Sequence, residues 1–406
     1  MTTVSGGERK GGALCGIRVI ELGTMIAGPV AATLLGDFGA EVIKIEAPGV
    51  GDPIRHSGPF VGEESLYWNV EGRSKRSVTL DLRKPEGQAV LRKLVAHADV
   101  LVENFRPGTM ARWGLAYDVL KEINPRLIML SISGFGQTGP NAARPAYDRV
   151  SLAYAGFLNM TGYADRPPVR PGTAMADYQS ALLGAFSIMV ALYERDARGG
   201  SGQQIDLSLF EAVFRFTDVM ITAYDKLGTK RERSGNRHFA ASPGDHYLAA
   251  DGKYVALTVA ATNVFKRLCT AIDRPDLADD PRFATHILRV EHYDEINGIV
   301  ADWIRARPAA EVVRELEANG LPHSLIFTPE DIIDDPHYAA RGAITTLEHP
   351  IIGTLKLPAI QPHFSNGPPP AMTPAPALGA DTDDVLSELL GMPVADIAAL
   401  RSSGIA

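Results

Sequence analysis

A glycine-rich string at residues 134–139 is the first candidate for ligand binding. Gly134-Phe-Gly-Gln-Thr-Gly139 matches the G-x-G-x-x-G pattern and follows a β-like run, an order typical of dinucleotide-binding turns. Such a turn must lead into a helix that faces the pyrophosphate, but the proline-containing stretch Pro140-Asn-Ala-Ala-Arg-Pro145 comes next. The pattern therefore favours a mobile glycine loop, with Gly134, Gly136 and Gln137 near a functional site, over a nucleotide cofactor.

Basic side chains recur in three short stretches, which are Arg73-Ser-Lys-Arg76, Arg83-Lys84 and the run from Asn104 to Arg112. In a doubly wound sheet, the loops beyond the strand ends meet at one edge, where phosphates bind. Charge alone favours the other interpretation, a solvated charged surface. Both interpretations therefore stay open at this point.

Asp177 stands immediately before the longest apolar run, Ala181 to Tyr193, in the segment Arg170-Pro-Gly-Thr-Ala-Met-Ala-Asp-Tyr178. Its spacing predicts an N-cap or first-turn acid that complements the helix dipole. The chain has 48 acidic residues, so composition does not single this one out.

Composition argues against several functional classes. The 406 residues are enough for two domains or one large domain with a sizeable core. A net charge of -8 has the wrong sign for a protein that neutralises nucleic acid phosphates. The ten histidines form no H-E-x-x-H and show no metal-ligand spacing, and neither a P-loop nor G-x-S-x-G is present. We therefore expect no metal and no nucleic acid partner.

The two cysteines, Cys15 and Cys269, are too few for a disulfide framework, which fits a reducing compartment. The polar, glycine-rich start MTTVSGGERKGG does not resemble a secretory signal. The apolar run at 181–193 is shorter than the roughly 20 residues that span a bilayer. These features predict a cytoplasmic protein that does not bind membranes.

From residue 16, short β-branched runs alternate with helical patterns, which predicts βα units around a mostly parallel sheet. The first unit is the clearest, with a strand at Gly16–Leu22, a helix at Gly28–Phe38 and a strand at Glu41–Glu46. Further strands are predicted at 77–82, 99–103, 126–132 and 203–209, and further helices at 85–98, 177–197 and 210–227. The first 135 residues therefore look doubly wound.

The pattern changes after Pro243. Asp251-Gly252 is a hairpin signal between two β-like runs, and amphipathic helices follow it, so a second, α+β domain is predicted up to about Gly342. A proline-rich passage at 357–376 then leads to a helical tail from Thr382.

Several blocks, in order, resemble the class III CoA-transferases, the CaiB/BaiF group. The resemblance runs from about Gly16 to the C-terminus. Its blocks are Ile26-Ala-Gly-Pro29, Gly39-Ala-Glu-Val-Ile-Lys-Ile-Glu46, Lys75-Arg-Ser-Val with Leu80-Asp-Leu, Glu103-Asn-Phe-Arg-Pro-Gly108, the glycine string with Pro140, Arg170-Pro-Gly to Asp177, and Gly202-Gln-Gln-Ile-Asp-Leu-Ser-Leu.

The resemblance implies that Asp177 is a nucleophile. Its carboxylate would attack an acyl-CoA thioester to give a mixed anhydride and CoA thiolate, and the thiolate would then leave an aspartyl-CoA thioester. The glycine loop at 134–139 would exclude water from these intermediates. No tightly bound cofactor is implied, because one thioester is exchanged for another of similar energy and CoA thioesters are the substrates.

The CoA contacts implied by the resemblance are Met25, Ile26, Ala27, Leu80, Arg83, Asn104, Phe105, Arg112 and Tyr147. Arg83 and Arg112 suit phosphates. Two positions depart from the formyl-CoA transferases, since Ala47 replaces an arginine and Pro145 replaces a lysine. The contacts to adenine and phosphate are therefore expected to differ.

The acyl group is inferred from a looser resemblance to dicarboxylate CoA-transferases that use succinyl-CoA. This resemblance lies in Glu64-Ser-Leu-Tyr67 and in the stretch from Arg231 to His238. Thr258–Asn263 replaces the glycine-rich loop of the formyl-CoA:oxalate enzymes. A second carboxylate on the acyl chain calls for a cation. The candidates are Arg55, Arg73 and Arg170.

The implied fold is a large Rossmann-like domain built from both chain ends, with a small α+β domain and an interlocked, ring-like homodimer. We predict the large domain at 14–212, a linker at 213–240, the small domain at 241–325 and a return segment at 326–406. The predicted acceptors are malate, itaconate, mesaconate, citramalate or glutarate.

Two alternatives remain. An α-methylacyl-CoA racemase or epimerase shares the fold, but it uses a histidine where this chain has Tyr147. The second alternative is a CoA-binding subunit of a heteromeric transferase made with a homologous chain.

Overall fold

The computed structural model describes residues 11–238 and 240–406. Its strands are β1 Arg18–Glu21, β2 Glu41–Glu46, β3 Phe60–Val61, β4 Glu64–Ser65, β5 Lys75–Thr79, β6 Val100–Glu103, β7 Ile128–Ser133, β8 Gln204–Ser208, β9 Gly244–Leu248, β10 Tyr254–Thr258, β11 His323–Leu325, β12 Ile344–His349 and β13 Gly353–Pro358.

The α-helices are α1 Ala27–Gly36, α2 Leu66–Glu71, α3 Pro85–Val95, α4 Thr109–Arg112, α5 Tyr117–Ile123, α6 Asp148–Tyr154, α7 Met175–Ala197, α8 Leu209–Phe214, α9 Met220–Leu227, α10 Thr262–Ala271, α11 His286–Glu291, α12 Tyr293–Arg305, α13 Ala309–Ala318, α14 Pro329–Asp334, α15 Pro336–Ala340, α16 Thr382–Leu390 and α17 Val394–Ser402.

Six of the strands form one parallel sheet in the order β5-β2-β1-β6-β7-β8, which confirms the predicted parallel sheet. The chain runs outward from β1 to β5 and then returns to the other side of β1 at β6. This reversal creates a crevice beyond the carboxyl ends of β1 and β6. In open α/β sheets, ligands bind at such a switch point.

Helices cover both faces of the sheet, as a doubly wound fold requires. Val19 and Val100 pack in a core with residues of α1 and α7. Their sequence neighbours Ile20 and Leu101 point the other way, into a core with α3, α5 and α16. The strands are apolar on both faces because both are buried.

A buried ion cluster of Glu21, Lys44, Lys75 and Asp52 joins three strands of the sheet. Glu21 pairs with Lys44 at 2.6 Å and with Lys75 at 2.7 Å, and Lys44 also pairs with Asp52 at 2.8 Å. Burial by itself would lower the pKa of Lys44, but attraction to Glu21 and Asp52 raises it above its usual value. Burial and repulsion from Lys44 lower the pKa of Lys75.

The outer edge of β5 is covered by a segment that lies far away in the sequence. The Ser77 N–H donates to Asp381 Oδ2 at 2.8 Å across 304 residues, and the Thr79 N–H donates to Thr382 Oγ1 at 3.0 Å. These bonds satisfy backbone donors that an open sheet edge would leave unpaired. The proline-rich passage thus ends by completing the sheet edge.

The chain divides into two compact units. One contains the chain up to Phe157, Arg170–Asp225 and Arg341–Ala406, and the other contains Leu158–Val169 and Lys226–Ala340. The second unit holds an antiparallel sheet in the order β11-β10-β9, and the predicted hairpin turn lies at Gly252, which has φ +81°. It therefore begins earlier and ends later than the small domain predicted at 241–325, and it includes a segment near residue 160.

The prediction of one helix over 210–227 is wrong. The structure has two helices there, α8 and α9, and residues 215–219 separate them. Asp218 has φ +59°, a left-handed conformation that an α-helix cannot include. The Thr217 hydroxyl also donates to Phe214 O at 2.8 Å, which takes up a carbonyl at the end of α8.

The buried ion cluster gives a stability prediction. We expect Lys44→Met to lower the free energy of unfolding by about 3–5 kcal/mol, because it leaves Glu21 and Asp52 short of a buried cation. Urea unfolding followed by circular dichroism measures this change. Lys121→Met is the control, since Lys121 pairs with Asp118 at the surface and its loss is expected to cost no more than about 1 kcal/mol. Equal effects of the two substitutions would contradict the prediction.

Candidate active site

Asn104 fastens together the loops that follow β1 and β6 at the switch point. Its side chain accepts the Thr24 N–H at 2.8 Å and donates to Thr24 O at 2.9 Å. The loop after β1 lies close against the start of α1 because Gly23 and Gly28 lack side chains. A Cβ on Gly28 would lie only 3.3 Å from Gly23 Cα. The two loops therefore form one continuous wall of the crevice.

Met25 lies in this wall with φ +64°, which is unusual for a residue with a side chain. Its N–H donates to Asp52 Oδ1 at 2.9 Å, and the other carboxylate oxygen of Asp52 pairs with Lys44. Lys44 also donates to Gly23 O at 2.9 Å. The buried ion cluster thus holds the loop in a conformation that it would otherwise rarely adopt.

Asp177 lies in the first turn of α7, whose N-cap is Ala174. Asp177 is therefore a first-turn acid, which is one of the two positions that its spacing predicts. It is not the N-cap. The N–H of the preceding Ala176 donates to Asp148 Oδ1 at 2.7 Å, so a second carboxylate is attached to the start of the same helix. Burial raises the pKa of Asp177 to about 7, and repulsion from Asp148 adds to the increase.

A cavity of about 280 Å³ contains Asp177 and lies at the switch point of the sheet. Its lining includes many of the residues predicted from the resemblance, namely Met25, Ile26, Ala27, Asn104, Phe105, Gly134, Tyr147 and Asp177. We call it the Asp177 cavity. Residues that are spread over more than 150 positions of the sequence thus meet around one carboxyl group.

A second cavity of about 210 Å³ contains Leu80 and Arg83 and shares Thr24 and Phe105 with the Asp177 cavity. Phe105 stands between the two and packs edge-on against Trp113, with ring centroids 5.1 Å apart. Two adjoining cavities suit a long ligand with a reactive end and a distant polar end. Arg83 is paired with Asp81 at 2.8 Å, so it offers a phosphate only the part of its guanidinium that Asp81 leaves free.

Arg112 lines neither cavity. It lies at the end of α4, where its guanidinium donates to Thr109 Oγ1 at 2.9 Å.

The glycine string forms a loop with no helix directly after it, since α6 begins only at Asp148. Gly134 lines the Asp177 cavity, whereas the Gln137 N–H donates to both carboxylate oxygens of Asp206, at 3.0 Å each. Gly136 has φ +86°, and a Cβ there would point at Asp206. The loop is therefore fastened to the middle of β8 by one carboxylate.

Two of the three arginines expected to bind a substrate carboxylate already bind carboxylates of the protein. Arg55 makes two bonds of 2.7 Å to Glu46 and lies 3.8 Å from the Trp68 ring centroid. Arg73 makes bonds of 3.0 and 2.6 Å to Asp37. Neither lines the Asp177 cavity, so the structure does not bring these two arginines together with Asp177.

Arg170 is exposed and bonds to Pro171 O at 2.9 Å, close in sequence to α7 but outside the cavity lining. His238 belongs to the other compact unit, where it lines a small cavity with Asn236 and Asp245.

Sequence reasoning missed two cations that do line the Asp177 cavity, Arg106 and Arg144. Each is adjacent in sequence to a residue that was singled out, Phe105 and Pro145 respectively. The missing information was the direction of the side chains, which a motif does not contain. The prolines that follow both arginines, at 107 and 145, are the available signal for a turn that directs a side chain into the crevice.

A family model described as CoA-transferase family III matches residues 14–382 of this chain. The chain is 40% identical to succinyl-CoA--D-citramalate CoA-transferase of Chloroflexus aurantiacus over 96% of this chain and 97% of the relative. It is 42% identical to the succinyl-CoA--L-malate CoA-transferase beta subunit of the same organism, over 97% and 98% of the two chains.

Two comparisons at lower sequence identity agree with the match to the CoA-transferase family. Human succinyl-CoA:glutarate CoA-transferase is 33% identical over 96% of this chain and 89% of its own length. The crystal structure of a CAIB/BAIF family protein from Brucella suis superposes with a TM-score of 0.83 at 34% identity, covering 94% of this chain and 100% of that one.

The environment of Asp177 predicts a pH-dependent change in stability. The folded state holds the proton up to about pH 7, whereas the unfolded chain loses it near 3.8, so the contribution of Asp177 to stability falls as the pH rises between these values. We expect Asp177→Asn, which mimics the neutral acid, to raise the melting temperature at pH 8 and to change it much less at pH 5.

Differential scanning calorimetry at the two pH values measures this difference. Asp118→Asn is the control, because this carboxyl lies at the surface. A shift in melting temperature that is the same at both pH values would contradict the raised pKa.

Proposed function

This chain belongs to CoA-transferase family III and is a CoA-transferase, and from that premise we propose that it transfers CoA from succinyl-CoA to a small dicarboxylic acid. The observation that carries the proposal is the position of Asp177, which lines a cavity at the switch point together with six of the nine residues expected to bind CoA. The expected acceptors are malate, itaconate, mesaconate, citramalate or glutarate.

The proposed reaction proceeds through Asp177 in covalent steps. Its carboxylate attacks the thioester carbonyl of succinyl-CoA, the C–S bond breaks, and CoA leaves as the thiolate. The thiolate then attacks the aspartyl carbonyl of the mixed anhydride, which releases succinate and forms an aspartyl-CoA thioester. The acceptor carboxylate repeats these steps in reverse order and regenerates the free carboxylate.

The surroundings of Asp177 support this role. Burial removes water that would stabilise the carboxylate, and a pKa of about 7 still leaves a large ionised fraction at neutral pH. The N–H groups of the first turn of α7 carry partial positive charge and favour the anion. A glycine loop at the cavity margin suits the exclusion of water from an anhydride.

The choice of succinyl-CoA and a dicarboxylic acid is supported by the relatives. The C. aurantiacus and human proteins are named for succinyl-CoA as donor and for citramalate, malate or glutarate as acceptor. The malate enzyme is named as alpha and beta subunits, which keeps a heteromeric assembly as the alternative. A racemase is less well supported because Tyr147, and not a histidine, lines the cavity.

The test of the proposal combines purified protein with succinyl-CoA and a panel of mono- and dicarboxylic acids. New acyl-CoA thioesters are followed by mass spectrometry. We expect transfer by the native protein and at least about a 10³-fold loss in Asp177→Ala, because the covalent route is removed. Asp118→Ala, which removes an exposed carboxyl group in the same unit, is the matched control and is expected to be fully active.

Undiminished transfer by Asp177→Ala would exclude the aspartyl mechanism. Deuterium exchange at the α-carbon of an acyl-CoA, without any transfer, would favour the racemase.

The same proposal includes a homodimer, supported by one face of α7. Ala181, Ala185 and Ile188 of this helix are buried in the core, but Leu182, Phe186 and Tyr193 are 61%, 63% and 64% exposed. The helix is long and apolar enough to suit a bilayer by length and composition, yet its inner face packs on the sheet. A second copy of this chain is the occupant that the family resemblance implies for the exposed stripe.

The dimer is tested by sedimentation velocity over a dilution series. We expect the native protein to sediment as a dimer and Phe186→Glu to shift the equilibrium towards monomer or aggregate, because a charge is costly in an apolar interface. Val394→Glu is the control at an exposed position of α17. A stable, folded native monomer throughout the series would contradict the dimer.

A further inference from the structure

The proposed substrate creates an electrostatic problem in the Asp177 cavity. Only two methylene groups separate the carboxylate of a succinyl group from its thioester carbonyl, which Asp177 must approach. The distal carboxylate is therefore held near the anionic nucleophile in a poorly solvated space. Like charges in such a space repel strongly, and each one disfavours ionisation of the other. A cation in the same cavity is needed to hold this substrate.

Most cations near this part of the sheet are already paired. Lys44 and Lys75 belong to the buried ion cluster, Arg55 binds Glu46, and Arg73 binds Asp37. None of these four side chains lines the Asp177 cavity. The cations that do line it are Arg106 and Arg144.

Arg106 and Arg144 differ in how they are held. Arg144 donates to Asn141 Oδ1 at 3.2 Å and lies over Phe135, 5.0 Å from the ring centroid. The Arg106 guanidinium makes no hydrogen bond or ion pair with any residue in 11–238 or 240–406. Its backbone is nevertheless fixed, because Arg106 O accepts the Thr109 N–H at 3.0 Å and Asn104 fastens the start of the same loop. Arg106 therefore offers an unused guanidinium from an ordered loop.

We propose that Arg106 binds the distal carboxylate of the succinyl group and of the dicarboxylic acceptor, and so determines the preference for dicarboxylic acids. This inference rests on the proposed function. A guanidinium matches a carboxylate with two parallel hydrogen bonds, which fixes the orientation of the acid as well as its position. The acid is then presented to Asp177 by its other carboxyl end. One cation serves donor and acceptor in turn, because the two acids occupy the cavity successively.

Glu103 and Asp118 are the acidic residues that line a small cavity of about 120 Å³ together with Arg106, and neither forms an ion pair with it. Asp118 is already paired with Lys121 at 2.6 Å. Burial raises the pKa of Glu103 to about 7, with a further contribution from Asp206, and its carboxylate already accepts the Phe105 N–H at 2.8 Å. A glutamate that is partly neutral and already bonded leaves Arg106 free for a substrate anion.

The test uses saturating succinyl-CoA as the donor and compares acceptors that differ only in the distal group, malate with 3-hydroxybutyrate and glutarate with pentanoate. For Arg106→Gln we expect kcat/KM to fall about 10- to 100-fold with the dicarboxylic member of each pair and by less than about 3-fold with the monocarboxylic member. Arg106→Lys is expected to recover part of the loss, since it retains the charge without the planar fork. Arg144→Gln is the matched control, and its ratio of dicarboxylic to monocarboxylic activity is expected to stay unchanged.

Binding of free CoA, measured by isothermal titration calorimetry, distinguishes the acyl end from the phosphate end of the substrate. We expect the native affinity for CoA in Arg106→Gln. An equal loss for both members of each acid pair, or weaker binding of free CoA, would assign Arg106 to CoA and overturn the inference while the proposed function stands. A native protein that transfers CoA to none of the acids would overturn the proposed function, and this inference with it.

Discussion

The ion cluster beneath the crevice is the constraint on which the site depends. Glu21 is buried and its charge must be neutralised. Lys44 of β2 and Lys75 of β5 therefore pair with it at the end of β1. Both lysines also donate to backbone carbonyls. Lys44 donates to Gly23 O in the loop, and Lys75 donates to Pro29 O in α1. Removing one partner from such a group leaves a buried charge, so the arrangement has few alternatives. The cost of burying these charges fixes the geometry of the wall that faces Asp177.

Asp177 illustrates a balance between two opposed influences. The start of α7 favours its anion, whereas burial and the nearby Asp148 favour the neutral acid, and the outcome is a pKa of about 7. Asp148 contributes to both sides, because it also accepts the Ala176 N–H and so holds the first turn of α7. The carboxyl group is thus held in place by a residue that also makes it less acidic.

The sequence was most informative where a pattern depends on the backbone alone. β2 lies at Glu41–Glu46 as predicted, because β-branched residues buried on both faces have few other conformations, and the helix through 177–197 needed only two more residues at its start. The break between α8 and α9 escaped prediction because it depends on one left-handed residue, Asp218. Motif blocks located the Asp177 cavity well. They did not reveal which arginines were already paired, since the partners of Arg55 and Arg73 are matters of tertiary packing.

The covering of the β5 edge has a consequence for how the polypeptide is made. The bond between Ser77 and Asp381 joins residues 304 positions apart, so at about 5–20 residues per second the ribosome needs about 15–60 s to supply the second partner. During that interval β5 presents unpaired backbone groups, the kind of edge on which nascent chains associate wrongly. All of Lys226–Ala340 is synthesised before Asp381. The unit whose synthesis begins first is therefore the last to be completed. Within it, β5, the strand that carries Lys75, is the part of the nascent chain that needs protection for longest.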